Sequence, residues 1–254
     1  NKALKKLYID NTNIANLKTL DLSACEALEE VGCRNAGIES LILPANSDLC
    51  YVDCRNNHLK ELDLSNVPML WWELNYSPQN IQVTGEHNNG KVCVDLKQVV
   101  SDLSKVTIVP SEDYTYDAET GLLTFANPAV TEFTYSYAHG YRHDATCEPM
   151  TVQAHINIDY KILKGDNTTL TPDSSLTFRC TGTKELFQNL YIDDMLLSSD
   201  SYTVEETENG LTFTINKSAL NKLANGSHHV TVLFENGEAN LTFTKADDKT
   251  AAPA

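Results

Sequence analysis

The feature that most constrains this chain is a pattern of apolar residues that recurs after 21 residues. Six positions that begin at Leu28 reappear, with the same spacings, in a segment that begins at Leu49. The matched pairs are Leu28 and Leu49, Val31 and Val52, Cys33 and Cys54, Ile38 and Leu59, Leu41 and Leu62, and Leu43 and Leu64. A repeat this short forms one turn of a stacked array, because a single turn cannot bury its own apolar face.

The pattern extends beyond these two copies. Upstream, Leu7 and Ile9 begin a copy that is followed by an insertion of three residues, and downstream Leu74 belongs to a copy with one extra residue. We predict a short strand at each L-x-x-L-x-L step. Cys33 and Cys54 are predicted to occupy ladder positions inside the array, where a buried thiol acts as a small hydrophobic group.

Residues 1–83 resemble the leucine-rich repeats of internalin-like surface proteins of Gram-positive bacteria. The likeness rests on repeats of the type L-x-x-L-x-C-x-x-N-x-L-x-x-L-D-L-S, which Leu49–Ser65 follows nearly throughout. Ala36, in place of the turn asparagine, and Pro44, in place of serine, depart from that type. The resemblance implies a mainly β chain that begins with a short leucine-rich-repeat solenoid of 21-residue repeats and ends this part with a cap.

The 21-residue period stops at about residue 84, and a different pattern follows. Short runs of alternating apolar and polar residues, separated by Asn, Gly, Pro and Asp, predict a small all-β module over residues 84–158 and a β-sandwich over residues 159–245. The second of these resembles an immunoglobulin-like (Ig-like) module of the kind found near the anchor of wall-attached bacterial proteins. Residues 246–254, rich in Ala, Pro and charge, are predicted to be a linker tail.

The binding residues are predicted on the strands of the repeat. In each strand the side chains between the inward positions point to the concave surface, where Tyr and Arg are the residue types favoured for recognition. The predicted ligand-binding set is Tyr8, Asp10, Glu30, Arg34, Tyr51, Asp53, Arg55, Glu73 and Asn75. Lys6 and Gly32 share that surface.

Charge and hydropathy restrict the partners. The formal net charge is −16, from 35 acidic and 19 basic side chains, and this disfavours nucleic acid and anionic lipid surfaces. No run approaches the roughly 20 apolar residues that a membrane-spanning helix needs, so we expect no membrane insertion by this fragment. The expected partner is an extracellular protein or glycan, and the expected state is a monomer.

Catalytic and metal-binding signatures are weak. His139 and His143 follow a predicted strand and flank a glycine, where a four-residue spacing does not bring two side chains together, so a solvated loop is predicted. His228 and His229 are predicted to point to opposite faces of a strand. No nucleophile elbow, phosphate-binding loop or zinc motif occurs in the sequence, and we predict no catalytic residue, metal or cofactor.

The seven cysteines are an odd number with no C-x-x-C pair. Cys93 and Cys147 lie in the same predicted module and are the pair to consider for a disulfide. Since the ladder cysteines indicate reduced, buried use, free thiols are favoured.

These features predict a non-enzymatic protein for cell-surface adhesion or for protein or glycan binding, which uses the concave face of the repeats. One alternative is a structural stalk or spacer that presents a binding region outside this fragment. Another is a carbohydrate-binding accessory module. The resemblance implies a secreted, extracellular location and attachment to the cell wall through a segment beyond Ala254.

Overall fold

Short β-strands make up nearly all of the regular structure. The computed structural model describes residues 1–12, 16–45, 48–67, 73–88, 90–141 and 147–246. The first twelve strands are β1 (Lys6–Tyr8), β2 (Thr19–Asp21), β3 (Glu30–Gly32), β4 (Ser40–Ile42), β5 (Tyr51–Asp53), β6 (Glu73–Asn75), β7 (Gln79–Asn88), β8 (Lys91–Asp95), β9 (Val106–Thr107), β10 (Tyr114–Asp117), β11 (Leu122–Phe125) and β12 (Glu132–Tyr137). The other ten are β13 (Met150–Asp159), β14 (Ile162–Lys164), β15 (Thr168–Leu170), β16 (Leu176–Cys180), β17 (Phe187–Ile192), β18 (Met195–Leu196), β19 (Tyr202–Thr207), β20 (Gly210–Ile215), β21 (Gly226–Phe234) and β22 (Gly237–Lys245).

Helical structure is sparse in the described ranges. It consists of one α-helical turn, α1 (Lys217–Leu220), and three 3-10 segments, Leu96–Gln98, Leu103–Lys105 and Ser199–Ser201. The predicted mainly β fold class is therefore confirmed.

The chain divides into two compact units. The first comprises Asn1–Val83, Asp95–Leu123 and Glu132–Ile156, and the second comprises Thr84–Val94, Thr124–Thr131 and Asn157–Ala254. A compact unit defined by its internal contacts need not have the same boundaries as a module predicted from the sequence. The predicted boundaries at residues 83, 158 and 245 therefore stay a prediction.

In the first unit, β1, β3, β5 and β6 form a parallel sheet in that order. The register sets Leu7 opposite Val31, Val31 opposite Val52, and Val52 opposite Leu74. These partners are 24, 21 and 22 residues apart (7 to 31, 31 to 52 and 52 to 74), as the repeat length and its two insertions require. The strands β2 and β4 form a second parallel pair, at a distance of 21 residues (20 to 41).

The predicted leucine-rich-repeat solenoid is not supported as a fold class. The described chain is β-rich with almost no helix, and the parallel strands of the repeat segment are only three residues long. The apolar repeat specifies which positions are buried and which strands pair. That information does not by itself define a leucine-rich-repeat fold, because the same burial pattern can serve other β arrangements.

The turn after β5 buries a polar side chain, that of Asn57, completely. Its Nδ2 donates hydrogen bonds to the carbonyl oxygens of Cys33 (2.7 Å) and Cys54 (3.0 Å). Its Oδ1 accepts hydrogen bonds from the backbone N–H groups of Ala36 (3.0 Å) and Ile38 (3.2 Å). One side chain thus satisfies four backbone groups that the repeat removes from water.

Gln79 plays the same role one repeat later and is also fully buried. Its Oε1 accepts from the backbone N–H groups of Asn57 (3.1 Å) and Leu59 (3.3 Å), and its Nε2 donates to the carbonyl oxygen of Cys54 at 2.9 Å. Cys33 and Cys54 are buried as predicted. However, the hydrogen-bonded ladder inside the array consists of amide side chains, and the thiols pack beside it.

The rest of the first unit packs against these repeats. The strand β12 pairs antiparallel with both β13 and β9. The Tyr135 hydroxyl donates to the carbonyl oxygen of Lys60 (2.6 Å), and the Leu64 N–H donates to the carbonyl oxygen of His139 (2.7 Å). These contacts connect the antiparallel strands to the repeat backbone within one unit.

The second unit is a two-sheet sandwich, as the alternating pattern predicts. One sheet has the order β14-β16-β20-β19, and the other contains β15, β22, β21, β17 and β18. Aromatic rings fill the space between the two sheets. Phe178 stacks on Phe213 with 5.1 Å between ring centroids, and Phe187 of the facing sheet meets Phe213 edge-on at 5.1 Å.

Replacement of Asn57 tests the amide ladder. We expect Asn57→Ala to lower the free energy of unfolding of the first unit by about 3 kcal/mol or more, because it leaves buried N–H and C=O groups without partners. Urea unfolding followed by tryptophan fluorescence measures this, since the sequence has two tryptophans, at positions 71 and 72. Asn66→Ala, at an exposed position, is the control and should change the free energy by less than about 0.5 kcal/mol. Equal effects of the two substitutions would show that the ladder does not stabilise the unit.

Candidate binding face of the parallel strands

The parallel sheet β1-β3-β5-β6 presents one face away from its apolar core. Its inward residues are the central ones of each strand, so the first and third residues of each strand lie on the opposite face. We call this surface the strand face. It consists of three rows of residues, which are Lys6, Glu30, Tyr51 and Glu73, then Tyr8, Gly32, Asp53 and Asn75, then Asp10, Arg34 and Arg55 beyond the strand ends.

All nine residues of the predicted binding set lie on the strand face. The third row continues the ladder, since the backbone N–H of Arg34 donates to Asp10 Oδ1 (2.7 Å) and that of Asn35 donates to the carbonyl oxygen of Arg55 (3.0 Å). Their ligand role stays a prediction, and the register places residues of all three rows on one face of the sheet.

Glu30 is the buried centre of this face, with a side chain that is 8% exposed. Its Oε1 accepts a hydrogen bond from Lys6 Nζ at 2.6 Å, and its Oε2 accepts one from the Tyr8 hydroxyl. The Lys6 ammonium, with the Tyr8 hydroxyl as the second cause, lowers the pKa of Glu30 below its ordinary value. In return, the hydrogen bond to the Glu30 carboxylate raises the pKa of Tyr8 to about 12. Tyr8 therefore remains a neutral donor at physiological pH.

Gly32 makes room for the Tyr8 ring. A Cβ atom at Gly32 would lie 2.6 Å from Tyr8 Cδ1, far inside van der Waals contact. The ring instead leans across the glycine toward Tyr51, with 6.1 Å between the ring centroids and 42° between their planes. Tyr8 is still 52% exposed, so the two tyrosines form an accessible aromatic pair. A glycine inside a strand is the sequence signal for such a close approach, and sequence reasoning assigned Gly32 only to the surface.

The side chain of Arg55 is held by Asp53, the last residue of strand β5. Its Nε and Nη2 donate to Asp53 Oδ1 (3.0 Å) and Oδ2 (2.8 Å), a bidentate pair in which Asp53 is buried. The Asp53 carboxylate raises the pKa of Arg55. Arg34, in contrast, has an exposed side chain. The predicted pair of arginines is thus one fixed and partly neutralised group beside one exposed group.

The charge on this face is mixed. Asp10, Glu30, Asp53 and Glu73 supply four carboxylates, while Lys6, Arg34 and Arg55 supply three cations. Such a surface suits neither a phosphate nor a metal ion, and no group of three or more His, Cys, Asp or Glu residues able to hold a metal occurs among the described residues. An aromatic pair with fixed donors and acceptors around it has the residue types favoured for recognition.

His139 is not part of a solvated loop. It is 4% exposed, its Nδ1 accepts from the Tyr141 N–H (3.1 Å), and its Nε2 therefore donates to the carbonyl oxygen of Glu148 (3.0 Å). The prediction of a solvated loop is wrong for His139, because burial against the ring of Tyr76 (4.6 Å between centroids) positions it in the core. His143 lies outside the described residues.

In the second unit the predicted arrangement of two histidines is confirmed. His228 is buried and His229 is exposed, as the alternation of strand β21 requires. His228 Nδ1 lies 2.6 Å from Asp193 Oδ2, and His228 Nε2 lies 2.9 Å from the carbonyl oxygen of Ala224. Both ring nitrogens thus have structural partners.

The buried thiols of Cys33 and Cys54 are structural rather than reactive. Burial raises the pKa of Cys33 to about 12 and that of Cys54 well above its ordinary value, so neither forms a thiolate at neutral pH. Cys93 has a free thiol, in agreement with the prediction against a disulfide at that position.

No protein-family model matches the chain, and no curated protein matches it. Among solved structures, a pair of tandem Ig domains of titin is 14% identical, and the match covers 66% of this chain and 93% of that one, with a TM-score of 0.26. A three-module GH5 endo-β-1,4-glucanase from Bacillus licheniformis is 13% identical, over 67% of this chain and 38% of that one, with a TM-score of 0.29. The predicted membership in the internalin-like leucine-rich-repeat proteins is wrong, since no family model matches the chain and its described residues are β-rich with almost no helix. The repeat is a burial pattern, and a burial pattern does not specify a family.

No helix in the described part of the chain is long and apolar enough to cross a membrane.

The charge cluster around Glu30 predicts a pH dependence. Since the folded state lowers the pKa of Glu30, its stabilising contribution is complete above the ordinary glutamate value of about 4.3 and is lost as the pH falls through the lowered folded value. Lys6→Met and Tyr8→Phe should both raise the pKa of Glu30, with the larger change in Lys6→Met, because Lys6 is the larger cause of the shift.

Carbon-detected NMR of the side-chain carboxyl, assigned with Glu30→Gln, measures the titration of Glu30. Lys91→Met removes an exposed lysine outside this cluster and should leave the titration unchanged. An unaltered Glu30 pKa in Lys6→Met would mean that the ion pair does not persist in solution.

Proposed function

We propose that this chain is a non-enzymatic binding protein whose strand face recognises an extracellular protein or glycan. The observation that carries the proposal is the Tyr8–Tyr51 pair, in which Tyr8 is exposed and yet fixed in place by Glu30 and Gly32, and the half-buried Tyr51 lies beside it. The finding that the chain is mainly β is compatible with a binding or structural module, and the finer assignment is our proposal.

Pre-organisation is the first argument. Tyrosine offers a large contact area with few rotatable bonds, and a ring already held in place loses little further entropy when a ligand binds. Tyr8 is fixed at its hydroxyl by Glu30 and along its ring by the close approach to Gly32. The binding surface is therefore formed before the ligand arrives.

The second argument is the combination of residue types. Tyrosine and arginine are enriched among the residues that dominate binding energy at protein interfaces. Here Tyr8 and Tyr51 share the strand face with the exposed side chain of Arg34 and with the fixed Arg55–Asp53 pair. Buried charges that already have partners do not need to be desolvated again on binding, which lowers the cost of covering the face.

The third argument concerns size. Four strands at about 4.8 Å spacing give a face about 15 Å wide. A standard protein interface covers about 800 Å² per partner, and a square patch of that area is about 28 Å wide. The face therefore suits an extended peptide, a short glycan, or the central contact of a larger interface. The net charge of −16 disfavours nucleic acid and anionic lipid as partners.

The proposal includes an extracellular, secreted and monomeric protein. Cys25, Cys33, Cys54 and Cys180 are buried. Buried thiols are inert, so free cysteines at these positions are compatible with an oxidising environment.

A spacer without a ligand is the second candidate. It is favoured by the extent to which charges on the strand face are paired with one another, in Lys6–Glu30 and Arg55–Asp53. The two functions differ in the effect of surface substitutions, since a spacer tolerates changes at the tyrosines that a binding site does not.

The double variant Tyr51→Ala/Arg55→Ala tests the proposed site. We expect it to weaken binding to a ligand identified on glycan and extracellular-protein arrays by tenfold or more, because truncation of residues that dominate an interface costs about 1–2 kcal/mol each. Biolayer interferometry with the full chain measures the dissociation constant.

The matched control is Lys18→Ala/Glu39→Ala, which removes an exposed ion pair beside the second ladder, β2 and β4. It should leave the affinity unchanged. Binding that survives Tyr51→Ala/Arg55→Ala would place the site elsewhere, and the absence of any ligand on either array would favour the spacer.

A further inference from the structure

A groove lies in the second unit, on the outward side of the sheet that contains β17, β21 and β22. It is a shallow groove of about 510 Å³, within the roughly 300–1,000 Å³ typical of small-molecule sites. The residues used in the argument are Tyr191, Asp194, His229, Thr231, Glu238 and Asn240. None of them belongs to the strand face, so the argument is independent of the proposed function.

The strand alternation places these side chains together. In β21, Val230 and Val232 face the sandwich core, so His229 and Thr231 face outward. The register sets Thr231 opposite Tyr191 on one side and opposite Asn240 on the other. An aromatic ring, a hydroxyl and an amide thus form a row across three neighbouring strands.

A hydrogen-bond network fixes the polar part of the groove. Asn240 Oδ1 accepts from the Thr231 hydroxyl (2.8 Å), so His229 Nε2, at 3.0 Å from the same oxygen, must also donate to it. Asn240 Nδ2 donates to Glu238 Oε1 at 2.9 Å. In the tautomer with its proton on Nε2, the His229 ring has Nδ1 as an acceptor.

The backbone below this network is also held in place. Asp193 Oδ1 accepts from the His229 N–H (2.9 Å), while Asp193 Oδ2 is bound by the buried His228 ring. The outward His229 is therefore fixed by its backbone and by its side chain. A ligand meets groups whose directions are already set.

The chemistry of the groove selects among ligand classes. Its charged residues are the carboxylates Asp194 and Glu238, with no Lys or Arg in the lining, and this disfavours phosphate and other anions. The described residues here do not include a group of three metal-binding side chains. A small set of fixed donors and acceptors beside an aromatic ring matches a ligand whose hydroxyls both donate and accept and whose C–H face is apolar.

We propose that this groove binds a neutral saccharide, with its sugar ring against Tyr191 and its hydroxyls on Thr231, Asn240 and Glu238. Sugar hydroxyls can accept from the second N–H of the Asn240 amide and donate to the Thr231 oxygen and to His229 Nδ1. These bonds leave the hydrogen bonds of the network intact. The ligand class follows from the pairing of a ring with an oriented amide network, and the identity of the sugar is set by the experiment.

Titration of the full chain with neutral β-1,4-linked oligosaccharides of glucose, mannose and xylose tests the proposal. Isothermal titration calorimetry measures affinity, and amide NMR shifts locate the site. At least one sugar should bind, with the largest shifts at residues 191, 229–233 and 238–240. Thr231→Val, which keeps the β-branched shape and removes one hydrogen-bonding group, should weaken binding by about fivefold.

Thr244→Val is the matched control, since Thr244 lies on the same outward side of strand β22 but outside the groove. It should leave the affinity unchanged. Tyr191→Ala should weaken binding by about tenfold or more through loss of the ring, whereas Tyr191→Phe should retain most of it. Thermal unfolding of each variant shows that the fold is kept.

Several outcomes would overturn the proposal. They are binding of none of the three sugar series, shifts that map elsewhere, or equal affinity in the wild type and Thr231→Val. Preferential binding of tetramethylammonium would assign the carboxylates and Tyr191 to a cation instead. The variant Tyr51→Ala/Arg55→Ala should bind the sugar with the affinity of the wild type. The two proposed sites are therefore tested independently.

Discussion

The first unit depends on how its buried backbone groups are satisfied after each turn of the repeat. A parallel strand of three residues pairs only a few N–H and C=O groups, and the residues that follow it enter the core with their polar groups unpaired. Asn57 and Gln79 solve this by bridging carbonyl and N–H groups of adjacent copies. Where the same position is Ala36, its own N–H is bound by Asn57 from the next copy. These two amides therefore connect successive copies behind the paired strands, whose backbone register sets the spacing.

That spacing in turn makes the strand face possible. With the strands in register, Tyr8, Gly32 and Asp53 become neighbours although they are distant in sequence. The Tyr8 ring can then occupy the space above a glycine and bind the carboxylate of Glu30. A surface that looks like a set of unrelated polar residues in sequence is a connected network in space, and its rigidity comes from the ladder beneath it.

Much of this was accessible from sequence because it depends on periodicity. The apolar period predicts which strands pair, including the insertions that separate Leu7 from Val31 and Val52 from Leu74. Alternation predicts which side chains share a face. These are consequences of strand geometry, which hold whatever the identity of the outward residues.

The sequence did not predict the hydrogen-bond and ion-pair partners of individual polar side chains. The bidentate pair of Arg55 with Asp53 and the burial of His139 both follow from tertiary contacts. A period cannot encode such contacts, because it records only whether a position is apolar. The family assignment failed for a related reason, since it read a shared burial pattern as common descent.

Both units contain a polar network that fixes side chains beside an accessible aromatic ring. In one unit a buried carboxylate, Glu30, orients a tyrosine, and in the other an amide, Asn240, is oriented by Thr231 and His229. In each case polar groups are bound to one another in advance and an aromatic ring remains accessible beside them. A fold that needed only stability would gain as much from apolar residues at these positions, because paired polar groups contribute little net free energy. In the binding function that we propose, fixed donors and acceptors at these positions lower the entropy lost when a ligand is held.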